Sequence, residues 1–377
     1  MKKAKVICLV LNNFKTDNRV LKEANHINKL GFNTTIIALH EDGLKEYDFT
    51  NENTRIHRVK LASKNWSKTK LVQLLKYFEF LIRVSFRYKN SDIVHCHDLN
   101  TLPIGCLIKL LSFGNAKLIY DTHEFASNDK PFESELSQRI KWLLEIFFIK
   151  FADEIITVNN AIANLYKTLY KLKNNPFVIH NCPEKIFIPD SNILKEKLGI
   201  RSETYLIIYQ GIFSRGRNIQ QLISFMNNTK IENIAIVFMG YGELEEEVKN
   251  AVNDKIFYHP AVPPTELLNY TVSADCGISL IEDSCISYRY CTTNKLFEYA
   301  MAGLPVITSD LPEQARLVKK YKIGEVSLSN KLAHLDKAIL STMKIKNHEL
   351  EKNLANFTDK YNWKNQSSEL TKVYEKY

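Results

Sequence analysis

At 377 residues the chain is long for one hydrophobic core, and with 45% aliphatic and aromatic residues it has the apolar content to fold as two domains. Its seven cysteines are scattered and form no CxxC pair, which argues against a disulfide framework or a zinc site and for a reducing compartment. The net charge of +9 is uneven: from Arg58 to Lys89, nine basic residues are opposed by Glu79 alone, a patch suited to an anionic membrane face or to nucleic acid.

Ala4–Leu11 is an apolar strand. Its run is too short for a signal peptide, and no stretch approaches the roughly 20 apolar residues of a membrane span, so a cytoplasmic protein is expected. The segment TDNRVLKEANHINKLGF places Val20, Ala24, Ile27 and Leu30 on one helical face and stops at Gly31. Thr34–Leu39 is the next strand. Strand, helix, strand is the start of a parallel, doubly wound sheet. No GxGxxG follows the first strand, which argues against a dehydrogenase-type dinucleotide site. Asp17 and Arg19 open the helix instead, Asp17 as a cap and Arg19 as a surface residue or a partner for an anionic ligand.

Residues 68–88 form an amphipathic helix. Leu71, Leu74, Leu75, Phe78, Leu81 and Ile82 are one stripe, and Lys76, Arg83 and Arg87 another. The apolar stripe is expected to pack on the sheet with the basic side in water. A helix lying on acidic lipid headgroups is the other reading, and the two are compatible if the basic face flanks an exposed apolar edge. In SDIVHCHD, His95 and His97 alternate by two and share a face. With Asp98 they have the makings of a metal trio, but no further ligand run follows and such a pair equally suits a sugar; no metal site is expected. Lys117–Asp121 is a strand running into THE, which puts His123 at a sheet edge where ligands gather, or leaves it a hydrogen-bonded loop residue. Arg139–Phe151 is apolar nearly all round and is expected to be a buried helix. EIITV, a helix at Ala161–Leu169 and FVIH complete this half, and Asn181–Asp190, with two prolines, marks a hinge.

The second half opens with the strand YLIIYQ and then GIFSRGRNIQQLI, a glycine turn at Gly211 with Arg215 and Arg217 opening a helix. Ile234–Met239 followed by GYGELEEEV repeats strand, turn and helix, and Gly240 and Gly242 would let backbone approach a nucleotide base. A strand at Cys276–Ile281 enters the loop EDSCISYRYCTT. From Asn294 to Asp310, NKLFEYAMAGLPVITSD reads as a short helix ended at Gly303, then a strand at Val306–Thr308. Lys295 and Glu298 share one face of the first turn. Unpaired N–H groups and partial positive charge there suit a phosphate, to which Lys295 adds a full charge, and Glu298 could accept both hydroxyls of a ribose. One turn, opened by Asn294, could hold a nucleoside diphosphate. Tyr361–Tyr377 is a terminal helix of mixed polarity.

The wording N-K-L-F-E-Y-x-x-A-G-x-P-V-I resembles the C-terminal signature of family 4 retaining glycosyltransferases, in its N-K-L-F-E-Y variant. The stretches at Asp17–Ala24, Asp92–Asp98 and Asp121–Glu124 resemble the same family. The resemblance implies the GT-B fold: two Rossmann-like parallel α/β domains facing across a crevice. The acceptor side would be residues 1–185, the nucleotide-sugar side 186–358, and a helix at 359–377 would cross back to the first domain. It places His123 near the sugar's reacting carbon. Where the family has G-R-x-x-x-x-K-G, this chain has Gly211, then Ile212 for the arginine and Arg217 on the lysine position, with Arg215 as a nearby charge. Eight residues before Glu298, where most members carry a first glutamate, stands Tyr290, and Thr293 replaces the variant's proline.

The implied activity is retaining transfer of a hexose-like sugar from a nucleoside diphosphate (UDP or GDP), by front-face attack assisted by the departing phosphate. The acceptor would be a glycan, lipid-linked, for surface polysaccharide. His123, Arg217 and Lys295 would act on the reacting groups, while Gly211, Arg215, Gly240, Tyr290, Asn294 and Glu298 would hold the donor. No D-x-D triplet occurs, so neither a metal nor another cofactor need neutralise the leaving group. Contact with an anionic membrane is the remaining partner; nucleic acid is not expected, because the basic run lacks a recognised module. Two other functions stay open. One is a non-catalytic donor-binding partner subunit, to which Tyr290 and Ile212 point. The other is a sugar-nucleotide epimerase on the same scaffold, which needs carboxylates poised for acid and base work.

Overall fold

The computed structural model describes residues 3–186, 188–189 and 191–377; Phe187 and Asp190, within the expected hinge, lie outside the described residues. The chain divides into two compact units, one of Met1–Asn128, Glu133–His180 and Ser367–Tyr377, the other of Asp129–Phe132 and Asn181–Gln366. Each is an α/β unit built on a parallel sheet, as the alternation of strand and helix predicts.

The first unit begins β1 (Lys5–Leu9), α1 (Asn18–Lys29), β2 (Asn33–Leu39), β3 (Tyr47–Phe49) and β4 (Arg55–Val59). It continues α2 (Lys70–Tyr88), β5 (Ile93–His97), α3 (Leu102–Leu111) and β6 (Lys117–Thr122). Then come α4 (Glu135–Phe148), β7 (Glu154–Thr157), α5 (Asn160–Leu169) and β8 (Phe177–Val178). Its strands run in the order β3-β4-β2-β1-β5-β6-β7-β8, parallel except for β3. Strand order reverses between β1 and β5, and the loops leaving those two strands therefore diverge and open a cleft at the strand ends. Arg19 follows one of them and His95 to Asp98 end the other.

The second unit opens with α6 (Ile193–Leu198), β9 (Tyr205–Ile212), α7 (Ile219–Asn228), β10 (Ile234–Tyr241) and α8 (Glu245–Asn250). Next are β11 (Ile256–Pro260), α9 (Leu267–Thr271), β12 (Cys276–Ser279), α10 (Ile286–Tyr290) and α11 (Asn294–Met301). It closes with β13 (Val306–Ser309), α12 (Pro312–Tyr321), β14 (Gly324–Ser327), α13 (Leu332–Thr342) and α14 (Asn347–Lys360). The last helix, α15 (Trp363–Tyr374), starts here and ends in residues of the first unit. The sheet order is β11-β10-β9-β12-β13-β14, all parallel, with its reversal between β9 and β12. Helices cover both faces, so β9 and β10 are buried through nearly their whole length, as their unbroken apolar runs require.

Two helices of the first unit are oriented against expectation. On α2 the buried residues are Phe80, Val84 and Ser85, while Leu71, Leu74, Leu75, Phe78 and Ile82 of the stripe expected to face inward are exposed. On α4 the one buried residue is Glu145, and Leu136, Ile140, Leu143, Leu144 and Phe147 point to solvent. On α4 the physical reason lies in Glu145. Its carboxyl group accepts hydrogen bonds from the hydroxyls of Tyr120 (2.7 Å) on β6, Tyr166 (2.5 Å) on α5 and Tyr170 (2.5 Å) just after it. Turning α4 over to bury its apolar side would strand that set of polar groups without partners.

Candidate active site

In the second unit the candidate residues meet where β9, β12 and α11 adjoin. Helix α11 is seated by Tyr299: a Cβ on Gly277 of β12 would stand 2.2 Å from its ring, so glycine is what admits the ring to the sheet. The Tyr299 hydroxyl donates to the Ile278 carbonyl (3.3 Å) and accepts from the Gln210 N–H (3.1 Å). One residue earlier, Glu298 accepts from Gln210 Nε2 at 2.6 Å, and Gln210 Oε1 in turn accepts from the Thr271 hydroxyl at 2.8 Å. Glu298 is thereby fixed at the exit of β9.

Lys295, a turn away, folds back onto the same strand end. Its Nζ donates to the Tyr209 hydroxyl (3.3 Å) and sits 4.5 Å from that ring's centroid. Its Cε lies 3.3 Å from where a Cβ on Gly211 would be, and Gly211 has φ +110°, so this residue is glycine both for conformation and for room. The Arg217 guanidinium lies over the Tyr288 ring at 4.7 Å. Among the described residues neither cation forms a salt bridge with a carboxylate. Burial first, and then repulsion from Arg217, push the Lys295 ammonium down to about 7, with Glu298 pulling the other way. Thr293, the residue capping α11, directs its hydroxyl to Ser279 (3.0 Å) and Gln314 and makes no side-chain cap bond to the helix. The first-turn N–H groups, two cations and a ribose-sized acceptor are thus gathered at one sheet edge, an arrangement that can bind and neutralise a diphosphate.

The other named residues take different places. Asn294 is exposed at the start of α11, and Arg215 is exposed in the turn between β9 and α7, its backbone N–H donating to Glu243 (2.8 Å). Tyr290 is half-buried at the end of α10. At Gly240 a Cβ would stand 1.8 Å from the Gly211 carbonyl oxygen, and one on Gly242 would stand 2.4 Å from the Phe213 carbonyl oxygen. These glycines let two strand ends close on each other. Tyr209, Gln210 and Tyr288 were not singled out from sequence; a glutamine ending the apolar run YLIIYQ was the available signal.

In the first unit the strand ends hold a buried network. Arg19 reaches both oxygens of Asp121 (2.9 and 3.0 Å), the Ile179 carbonyl (2.9 Å) and Glu23 (3.1 Å). It is therefore neither a surface arginine nor open to an anionic ligand. Asp17 does cap the helix, accepting from the Val20 N–H at 3.3 Å. Although burial opposes it, Arg19 with the neighbouring histidines holds Asp121 well below the usual carboxylate range. Glu23, with burial as the main cause and Arg19 opposing it, is pushed well above that range. His95 and His97 stack at 4.4 Å on one face, as their alternation predicts; His95 bonds the Tyr374 hydroxyl (3.0 Å) and His97 Nδ1 meets His123 Nε2 (3.2 Å). Asp98, at φ +65°, accepts from the His123 N–H (3.2 Å). His123, 21% exposed, is the histidine of this group that reaches the surface. Burial pushes its imidazole down to about 4, aided by Arg19 and opposed by Asp121, so at neutral pH it is an uncharged hydrogen-bonding group. Glu23, His95, His97 and Asp121 lie close enough to suggest a metal cage, but the Arg19 guanidinium already occupies the charge position among them.

Comparison with known proteins meets this geometry. Residues 17–182 match the family model Glycosyltransferase Family 4, and residues 190–361 match Glycosyl transferases group 1. EpsD of Bacillus subtilis (strain 168), a glycosyltransferase by name, is 27% identical over 168 residues. That match covers 41% of this chain and spans 42% of EpsD. Among solved structures, sucrose-phosphate synthase from Thermosynechococcus elongatus superposes with a TM-score of 0.79 at 14% identity, covering 99% of each chain. Anabaena HepE in complex with UDP-glucose has a TM-score of 0.74 at 12% identity, covering 99% of this chain and 100% of its own. Both halves of the chain thus match glycosyltransferase family models, and full-length structural neighbours share its GT-B fold of two parallel α/β units.

Proposed function

We propose that the protein moves a sugar from a nucleoside-diphosphate sugar, UDP- or GDP-linked, to a glycan or lipid-linked acceptor in surface polysaccharide synthesis, with retention and without a metal. It would work in the cytoplasm, at the inner face of the membrane. The observation that carries the donor half of this reading is that Lys295 and Arg217 lie at one strand exit, beside a helix N-terminus with no side-chain cap bond, and that among the described residues neither forms a salt bridge with a carboxylate. Two cations held together in this way repel until an anion arrives. As the sugar–phosphate bond breaks, negative charge grows on the leaving diphosphate, and both cations with the first-turn N–H groups of α11 stabilise it. Glu298, oriented by Gln210, accepts the ribose hydroxyls. His123, neutral, hydrogen-bonds the sugar near its reacting carbon, as the family resemblance implies. HepE bound to UDP-glucose supports a nucleotide-sugar donor.

Thermal stabilisation by a panel of UDP-, GDP-, CMP- and ADP-sugars, with and without magnesium, tests the reading. A single hit that does not need metal is expected, with the anomeric configuration of the product then read by NMR. The Glu298→Ala variant should bind the nucleotide about tenfold more weakly while inorganic pyrophosphate binding holds, since only the ribose contact is lost. Unchanged nucleotide affinity in that variant, or a strict magnesium requirement, overturns the assignment.

A further inference from the structure

Helix α4 inverts the usual arrangement of an amphipathic helix on a sheet: a carboxylate faces the core and Leu, Ile, Phe and Trp face outward. The tyrosine hydroxyls around Glu145 make that orientation compulsory, so the outward apolar side is a fixed feature of the fold. On α2, too, large apolar side chains face outward: Leu71 is 68% exposed and Phe86 58%. Between them α3 packs against both helices and ends in a turn that carries Phe113, 95% exposed. Large apolar side chains on adjoining helices exceed what a solvated surface normally shows, and they mark a surface that something covers.

The charges around these helices say what covers it. Lys68, Lys70, Arg83, Arg87 and Lys89 are exposed on or beside α2, and Arg139 and Lys150 on or beside α4. Against them stand Glu135, paired with Arg139 (3.7 Å), and Glu79, which pairs with Arg83 (2.7 Å) and accepts from the Ala62 and Ser63 N–H groups, so Lys68, Lys70, Arg87, Lys89 and Lys150 carry the excess charge. A second copy of the chain meeting this face about a two-fold axis would set these cations against their own counterparts. An anionic bilayer instead takes apolar side chains into its acyl boundary and cations at its headgroups. Trp66 and Trp142, both exposed, are suited to the level between the two. Among the described residues no helix is long and apolar enough to cross a membrane, so the helices would lie in the interface plane.

We propose that the outward faces of α2 and α4, with the Phe113 turn, form one lipid-docking surface for an anionic bilayer. This deepens the membrane location given above, and rests on that reading for its purpose, which is to bring the first unit to lipid-linked acceptors. Lys76 is left out of the test set because its Nζ ties the preceding loop, bonding the Lys64 (2.8 Å) and Trp66 (3.0 Å) carbonyls.

The full-length protein is sedimented with vesicles of phosphatidylcholine alone and of phosphatidylcholine mixed with phosphatidylglycerol. It should pellet with the mixed vesicles and be released by salt. Leu74→Gln, Phe78→Gln, Ile140→Gln and Phe147→Gln together should weaken vesicle binding at least roughly tenfold, as should Lys68→Glu, Lys70→Glu, Lys89→Glu and Lys150→Glu together. Melting temperature and nucleotide-sugar binding should stay unchanged in both variants, because these side chains are already in solvent. The Glu298→Ala variant should pellet like the wild type, which separates failure of the donor assignment from failure of this one. Binding that survives both sets of changes, or equal binding to neutral vesicles, overturns the proposal. So does a wild-type dimer that ignores vesicles and that the glutamine variant converts to monomer.

Discussion

Both sheets gather charge at the strand ends beside their reversal points, yet the two collections behave differently. In the first unit Arg19 is enclosed by Asp121 and Glu23, and the histidines around them are hydrogen-bonded to neighbours. In the second, Lys295 and Arg217 rest on tyrosine rings. A guanidinium held by two oxygens of a buried carboxylate is a structural element, since its removal would leave an uncompensated buried charge. An ammonium resting on a phenol, half-discharged at neutral pH, gains when a phosphate arrives. Charge at a sheet edge is therefore a poor guide to ligand binding until its partners are known.

The comparison breaks most sharply at Arg19. Arg19→Met should cost about 3–5 kcal/mol of folding stability, because Asp121 loses its bidentate partner in a dry site. Urea denaturation measures it, and a loss under about 1 kcal/mol would show that the network is not holding the first unit together. Lys295→Met should do the reverse. Folding is unharmed, since a lysine whose ammonium is already disfavoured by burial contributes no stability below its unfolded value, whereas donor affinity falls about 30-fold, roughly 2 kcal/mol for a charge-assisted bond.

The pH dependence follows from the same group. The free site holds Lys295 at about 7, and a bound diphosphate raises it. Donor affinity should thus be highest below pH 7 and fall toward pH 9, by at most about tenfold per unit, until the bound-state value is passed. The sign for stability is opposite: the unfolded lysine binds a proton up to its ordinary value, so this group lets stability rise with pH above 7. Isothermal titration of the nucleoside diphosphate across that range checks the first effect, and its slope should flatten in Lys295→Met. The smallest effect is expected at Tyr288. Replacing it by leucine removes the ring beneath Arg217 and should weaken donor binding by about 1 kcal/mol, some fivefold.

What the sequence disclosed and what it withheld divide along one physical line. Order of elements, the helix at Asn294–Met301 with its turn at Gly303, and the shared face of His95 and His97 are local matters of periodicity and turn chemistry, and they were legible. Direction was not. Spacing says which residues of α2 and α4 share a face, but not which face turns to the sheet. On α4 that choice depends on Tyr120, Tyr166 and Tyr170, which lie outside the helix. Arg19 was ambiguous for the same reason, its partner lying about a hundred residues away in Asp121. At Gly240 a glycine's vacant side looks alike in sequence whether a nucleotide or a neighbouring strand approaches it. The Gly211 carbonyl is what a Cβ there would meet.

The tyrosine cluster around Glu145 also gives the protein a built-in optical reporter. Burial, and then the adjacent carboxylate, hold the hydroxyls of Tyr120, Tyr166 and Tyr170 far above the range in which exposed phenols ionise. In an alkaline titration followed by ultraviolet absorbance, the surface phenolates will form first and reversibly. The buried three will form only when α4 lets go of the core. Tyr205, Tyr209, Tyr299 and Tyr374 are also held high by burial, so the part of the late absorbance step lost on Tyr120→Phe, Tyr166→Phe and Tyr170→Phe exchange times the release of that helix.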